Sequence, residues 1–194
     1  KFPWQDDGTS GIKPETIEFR FRAPTSKDMT IVQKGVDNHS FAIQLQDNGA
    51  TDSYGKLRFS VSASTGIQFM TSSLQPFYNN DMWSVMLTRV SQSGLDLVTD
   101  ANAQDITYQL TSKQYDATRQ VILYQTSESV SIDGNASAGA AFNNAFHTDG
   151  TFYIGGNGEF GTRFSGSMME FRLWSEPLSQ SVFDNHVTAP KAYN

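Results

Sequence analysis

Carboxylates, histidines and aromatic rings are the groups in this chain whose types and spacing could do chemistry. Glu170 and Arg172 stand two positions apart in an alternating apolar run, so they share one face of a strand and can pair. That spacing reads as a structural ion pair in preference to a catalytic acid. Nucleophilic hydrolysis has no support: there is no cysteine and no G-x-S-x-G, and His39, His147 and His186 lie far apart without a marked partner. No two histidines stand at zinc-ligand spacing. The run Gly156-Asn157-Gly158-Glu159-Phe160-Gly161 fits G-x-G-x-x-G after a strand. A dinucleotide site needs a helix N-terminus next, whereas another strand follows, so the run reads as a hairpin loop.

Two further chemistries need only oxygen ligands or a ring face. Calcium takes carboxylate and carbonyl oxygens, and Asp47, Asn48 and Asp52 make one oxygen-rich loop. Asp96, Asp100, Asn102 and Asp105 make another, without the central glycine and closing glutamate of an EF-hand. A solvated turn is the plainer reading of both; calcium is the one cofactor the first would take. A glycan site needs an exposed aromatic beside amides and carboxylates. Phe77, Tyr78, Asn79, Asn80 and Asp81 offer that mixture in one loop, although the same letters also make a turn with a buried Phe77. Asn38-His39-Ser40 and Asn135-Ala136-Ser137 match the N-glycosylation pattern, as a chain rich in Asn and Ser will.

The elements that position these groups are nearly all strands. In residues 15–22, Ile17, Phe19 and Phe21 alternate with Glu18, Arg20 and Arg22, which predicts one core face and one wet face. Strands follow over 29–33, 41–45, 57–61, 67–70 and 83–88, punctuated by Asp47-Asn48-Gly49, Ser53-Tyr54-Gly55 and Ser64-Thr65-Gly66. Leu95 and Leu97, Ile106 and Tyr108, and residues 121–124 continue the pattern. Residues 134–150, rich in Ala, Asn, Gly and Ser, are the longest loop candidate, and loops held by a rigid scaffold often carry recognition. The last strand puts Phe164, Met168, Glu170, Arg172 and Trp174 on one face and Met169, Phe171 and Leu173 on the other. Apolar residues on both faces predict a central strand with a cover on each side. One cover is a helix of about ten residues: Ser175 can cap it, Pro177 fits its first turn, Leu178, Val182, Phe183 and Val187 share a face, and Pro190 stops it. A helix that short must dock on the sheets, with His186 packed at their edge.

The run Phe164-x-Gly166-x-Met168-x-Glu170-x-Arg172-Leu173-Trp174, then Pro177-Leu178-Ser179, resembles the closing strand and helix of laminin-G-like, concanavalin A-like lectin/glucanase domains. Asp81-Met82-Trp83-Ser84-Val85-Met86-Leu87-Thr88-Arg89 is similar to the family's W-x-x-V-A-x-x-R strand. Val130-Ser131-Ile132-Asp133-Gly134 is similar to its L-Y-V-D-G hairpin, and Phe152-Tyr153-Ile154-Gly155-Gly156 to its L-x-I-G-G strand. The resemblance implies an all-β fold: a two-sheet antiparallel β-sandwich of jelly-roll type with one short C-terminal helix. It covers roughly residues 13–188, leaving 1–12 as an N-terminal arm in which Trp4 fills a core edge or touches a neighbour, and 13–194 as a single domain. Relatives that cleave β-glucans carry E-x-D-x-E on one strand; that triplet is absent here, so no catalytic machinery is implied. Rim loops of the family often bind calcium, but no metal-binding acid of theirs aligns onto a residue of this chain. Some members carry a disulfide near the C-terminus; this chain departs from them.

The ending Ser165-Gly166-Ser167-x-x-Glu170-Phe171-Arg172, then Leu178-Ser179-x-Ser181-x-Phe183-x-x-x-Val187-x-x-Pro190, is most similar to domains of phage and large-virus structural proteins. That likeness implies a non-catalytic recognition or structural module of a larger assembly, a virion tail, fibre or capsid, contacting glycans or neighbouring subunits. A secreted or cell-surface carbohydrate-binding module is the alternative, and a glycoside hydrolase of the same fold the more distant one. Location is expected to be extracellular or on a virion surface. With 194 residues the chain can bury a large core without disulfides. A net charge of -6, spread along the chain, excludes the basic stripe a nucleic-acid partner would require. No apolar window is long enough for a membrane-spanning helix, so no membrane insertion is expected.

Overall fold

Alternation of side chains along each segment folds the chain into ten strands, seen in a computed structural model that describes residues 14–36, 39–49, 53–63, 65–91, 105–132, 146, 151–156 and 163–189. In chain order they are β1 (Thr16–Arg22), β2 (Met29–Val36), β3 (His39–Asp47), β4 (Gly55–Ala63), β5 (Gly66–Thr71), β6 (Trp83–Ser91), β7 (Ile106–Asp116), β8 (Val121–Ile132), β9 (Phe152–Ile154) and β10 (Ser167–Trp174). Helix α1 (Gln180–Thr188) follows. Among the described residues all strand-to-strand pairings are antiparallel and form two five-stranded sheets, ordered β10-β1-β6-β7-β8 and β5-β4-β3-β2-β9. The fold is the expected two-sheet β-sandwich with one short C-terminal helix.

The inner faces meet in one aromatic-rich core. Phe59 of β4 reaches across to Tyr108 of β7 at 5.1 Å between ring centroids, and Phe152 of β9 to Phe171 of β10 at 5.5 Å. Phe41 stacks on Phe146 at 4.8 Å, and Trp83 packs on Phe77 at 4.4 Å. Strand β4 shows the period-2 rule plainly: Leu57, Phe59 and Val61 are fully buried, while Lys56 between the strand's inward positions is exposed.

Three expectations for the outer faces change. First, β10 is an edge strand, not a central one, and a bulge resets its alternation. Phe21 pairs with Met168 and Ile17 with Leu173, so two residues, Glu170 and Phe171, stand opposite Phe19. The cause is Glu170, whose φ of 54° lies in the left-handed region. Met168, Phe171 and Leu173 all pack on the core as a result, with Met169 left outside. Second, the strand with both faces covered is β6, at the centre of its sheet. Trp83, Val85 and Leu87 face the core, while Met86 lies under Phe183 and Val187 of α1. Burying those two helix side chains stabilises the docked helix by roughly 3–5 kcal/mol, which a nine-residue helix requires. Third, Ser179 caps that helix, not Ser175: its hydroxyl accepts from the Val182 N–H at 3.3 Å. The N-terminal arm with Trp4, residues 95 and 97, most of the loop 134–150 and Pro190 lie outside the described residues.

Candidate functional site

Glu18 gathers the densest group of chemically capable side chains. The sequence pattern placed it on a wet face of β1, yet its carboxylate is almost wholly enclosed by β10 and α1. Arg172 Nη1 lies 3.2 Å from Oε1, while Trp174 Nε1 donates to Oε2 at 3.2 Å and His186 Nδ1 sits 2.9 Å from the same oxygen. The His186 ring stacks on Trp174 with centroids 5.5 Å apart and planes 17° apart. Glu170 lies 3.5 Å from Arg172 Nη2 and 3.6 Å from Arg20 Nη1, so the expected pairing with Arg172 is present and shared. Arg20 further donates to Ser84 Oγ at 2.9 Å and to the Val187 carbonyl at 3.2 Å. Burial lowers the Arg20 guanidinium below its ordinary value, and Glu170 opposes that shift. Each acid in this group is committed to a cation that fixes strand to strand or strand to helix. The arrangement is a clamp on the C-terminal segment, and it holds His186 at the sheet edge as expected.

The loop expected to stack on sugars does other work. Phe77 is fully buried and Tyr78 is 5% exposed, so neither ring offers a face to a ligand. The Tyr78 hydroxyl donates to the Lys27 carbonyl at 2.7 Å, and its N–H donates to the Ser53 carbonyl at 2.9 Å. Burial raises the Tyr78 hydroxyl well above its ordinary pKa, with Asp47 and Asp28 adding to the rise. The ring lies against Gly55, where an added Cβ would meet Tyr78 Cε2 at 2.5 Å. Asn79 Nδ2 donates to Gln114 Oε1 at 3.1 Å, Gln114 Nε2 donates to Asp81 Oδ2 at 2.8 Å, and the Asp81 N–H donates to Asn79 Oδ1 at 3.0 Å. Asn80 is exposed at the tip with a left-handed φ of 63°, a conformation asparagine tolerates. The loop is therefore a corner brace between the sheets. The Asn-Asn-Asp run that suggested ligand hydroxyls is the chemistry of the turn itself.

Asp47 and Asn48 come together with Asp28 and Lys56 in an open groove that Ser72, Ser73 and Leu74 complete. Asp47 Oδ1 accepts from Ser26 Oγ at 2.7 Å, and the Asp47 N–H donates to Asp28 Oδ1 at 2.8 Å. Asp52, Asp96, Asp100, Asn102 and His147 lie outside the described residues. Among the described residues no three His, Asp or Glu side chains converge as metal ligands.

One surface went unread in the sequence. The outer face of β7 and β8 carries Thr107, Gln109 and Thr111 in one row and Gln125, Ser127, Ser129 and Ser131 in the next, through the pairings Thr107↔Ser131, Gln109↔Ser129, Thr111↔Ser127 and Lys113↔Gln125. Gln180 of α1 closes one end, and with Gln109, Thr111, Lys113, Gln125 and Ser127 it lines an open groove. Thr107 and Ser131 hydroxyls are 2.8 Å apart, Gln109 Nε2 donates to Ser127 Oγ at 3.0 Å, and Thr111 Oγ1 lies 3.2 Å from Ser127. Hydroxyls and amides bonded in pairs this way keep spare donors and acceptors for a ligand. At the groove's floor Lys113 is neutralised by Asp184. The period-2 rows T-x-Q-x-T and S-x-S-x-S were the signal that could have revealed it.

No family model matches the chain, and no curated protein is significantly similar to it in sequence.

Proposed function

We propose that this chain is a non-catalytic recognition and structural module of a larger surface assembly, extracellular or on a virion, as its resemblance to viral laminin-G-like domains implies. The observation that carries the reading is the uncharged hydroxyl and amide face of β7, β8 and α1. Such a face suits a hydroxyl-rich ligand, because its hydroxyls and amides can both give and take hydrogen bonds and its Lys113 is neutralised by Asp184. The carboxylates that could have served hydrolysis, Glu18 and Glu170, are occupied in the C-terminal clamp, which supports the non-catalytic reading. The test is a glycan array probed with the whole chain. Weak, saturable binding that is lost in Gln109→Ala/Gln125→Ala is the expected result; silence across the array would sink glycan recognition. Contact with neighbouring subunits is the second reading, favoured by exposed apolar side chains on adjoining edges β5 and β8.

A further inference from the structure

The four edges of the two sheets differ in how they discourage another strand from adding to them. Strand β9 has three residues, too few to template a partner. Strand β10 is kinked by the bulge at Glu170 and studded with the Glu170 and Arg172 ion pairs. Strand β5 is six residues long and carries Arg58 of β4 over its Phe69 ring at 4.4 Å. Strand β8 shares only the bulge, at Leu123, and is neither short nor covered by charge. It is twelve residues long, contains no proline, and has no charged residue from 121 to 127. Among the described residues no strand pairs with it on the side away from β7. At its start Val121, Ile122, Leu123 and Tyr124 are 45%, 36%, 40% and 39% exposed, four consecutive large apolar residues on a free edge.

We infer that this edge is an interface, and that its occupant is the same strand of a second copy of this chain. The inference rests on the assembly reading above and names the partner. An open edge presents unpaired N–H and C=O groups, so what covers it must be extended backbone. Leu123 sharpens the demand: Gln114 pairs with Tyr124 and Tyr115 with Ile122, which leaves Leu123 out of the β7 ladder. The covering strand must also be uncharged and rich in β-branched and aromatic residues, and 121–125 is itself such a strand. The chain's net charge of -6 opposes self-association through most surfaces, but not through a stretch without charge. The charges just beyond it are complementary. Arg119 precedes the run and Glu128 follows it, so antiparallel pairing centred on the run lays the Arg119 end of each copy beside the Glu128 end of the other. A two-fold pairing of this kind is isologous and stops at two copies.

Sedimentation equilibrium of the whole chain decides it, over roughly the 10 μM to 1 mM range in which small interfaces dissociate. The expected result is a reversible monomer–dimer equilibrium, weakened at least ~10-fold by Leu123→Lys and by Ile122→Lys, since each places like charges together across the two-fold. Circular dichroism melts of both variants establish that they are folded, and Met169→Lys, on the opposite edge β10, should leave the dimer intact. A chain monomeric throughout, a dimer indifferent to both lysines, a dimer lost equally in Met169→Lys, or a mass that grows past two copies would each overturn the proposal. The glycan array is read separately, so self-association can fail while recognition stands, and the reverse.

Discussion

Strands β10 and β8 finish the same sheet on opposite sides, and they do so with opposite chemistry. At β10 a bulge, two arginines, a buried glutamate and a stacked Trp–His pair close the edge against β1 and α1. At β8 four apolar side chains are 36–45% exposed with no charge among them. Both edges need to solve one problem, the row of unpaired backbone groups that any sheet leaves at its margin. One solves it inside the chain. The other has no such closure among the described residues. The difference separates an edge tied into the fold from the edge at which we infer that a second copy docks.

The largest effect is expected at the closed edge. Glu18→Ala removes the acceptor shared by Arg172, Trp174 and His186 and leaves the enclosed Arg172 with Glu170 alone, which it shares with Arg20. Breaking one partner of a buried ionic network costs on the order of 3 kcal/mol or more, which urea unfolding would measure directly. A loss below about 1 kcal/mol, the range of exposed pairs, would mean the clamp is ornamental and the contrast with β8 is void.

Next comes the core beneath β8, where Tyr108 of β7 is fully buried. Burial pushes its hydroxyl up to about 12, with the Arg89 guanidinium pulling it back. A tyrosine in the unfolded chain titrates near 10. The folded value is the higher one, so this contribution is whole below pH 10 and is lost as pH rises through about 12. Stability measured from pH 9 to 12 should therefore fall, and Tyr108→Phe, which cannot ionise, should fall less steeply by roughly 2 kcal/mol across that window. Equal slopes would show that water reaches this core and that the β8 side is loose throughout, not only at its edge.

A smaller effect belongs to the helix that completes the clamp. Ser179→Ala removes the side chain that accepts from the Val182 N–H, and loss of such a cap costs about 1 kcal/mol. The same change at Ser175, the cap read from sequence, should be close to neutral. Thermal melts of the two variants side by side separate the two positions.

How far each region could be read from sequence follows from what fixes it. Inward faces were legible because burial imposes period 2, and Ile17, Phe19, Phe21, Phe59, Trp83 and Val85 all lie where alternation puts them. Glu170 misled because a bulge depends on one left-handed residue, and nothing in the composition of Met168-Met169-Glu170-Phe171 announces it. Its neighbours were then assigned to the wrong faces, and a bulged edge strand passed for a central one. Glu18 was hidden for another reason. Its surroundings come from Arg172, Trp174 and His186, more than 150 positions away, and long-range enclosure leaves no local periodicity. Tyr78 and Asn79 failed as a ligand loop because turn-forming and sugar-binding residues are the same residue types, and only burial separates the roles.

The finest test compares two lysines. Met169 on β10 and Leu123 on β8 are apolar, similarly exposed at 45% and 40%, and each sits at its sheet's margin. Neither substitution removes core packing, so in dilute solution both variants should unfold within about 0.5 kcal/mol of the parent chain. Raising the concentration should separate them. A dimer that forms only from folded chains adds stability by mass action, so the parent chain and Met169→Lys should melt at higher temperature as concentration rises. Leu123→Lys should melt at one temperature throughout. Convergence of all three at every concentration would mean that the two edges differ in appearance alone. A concentration dependence absent only in Leu123→Lys assigns the open edge its use, because the closed edge, equally apolar at Met169, supplies the control for exposure itself.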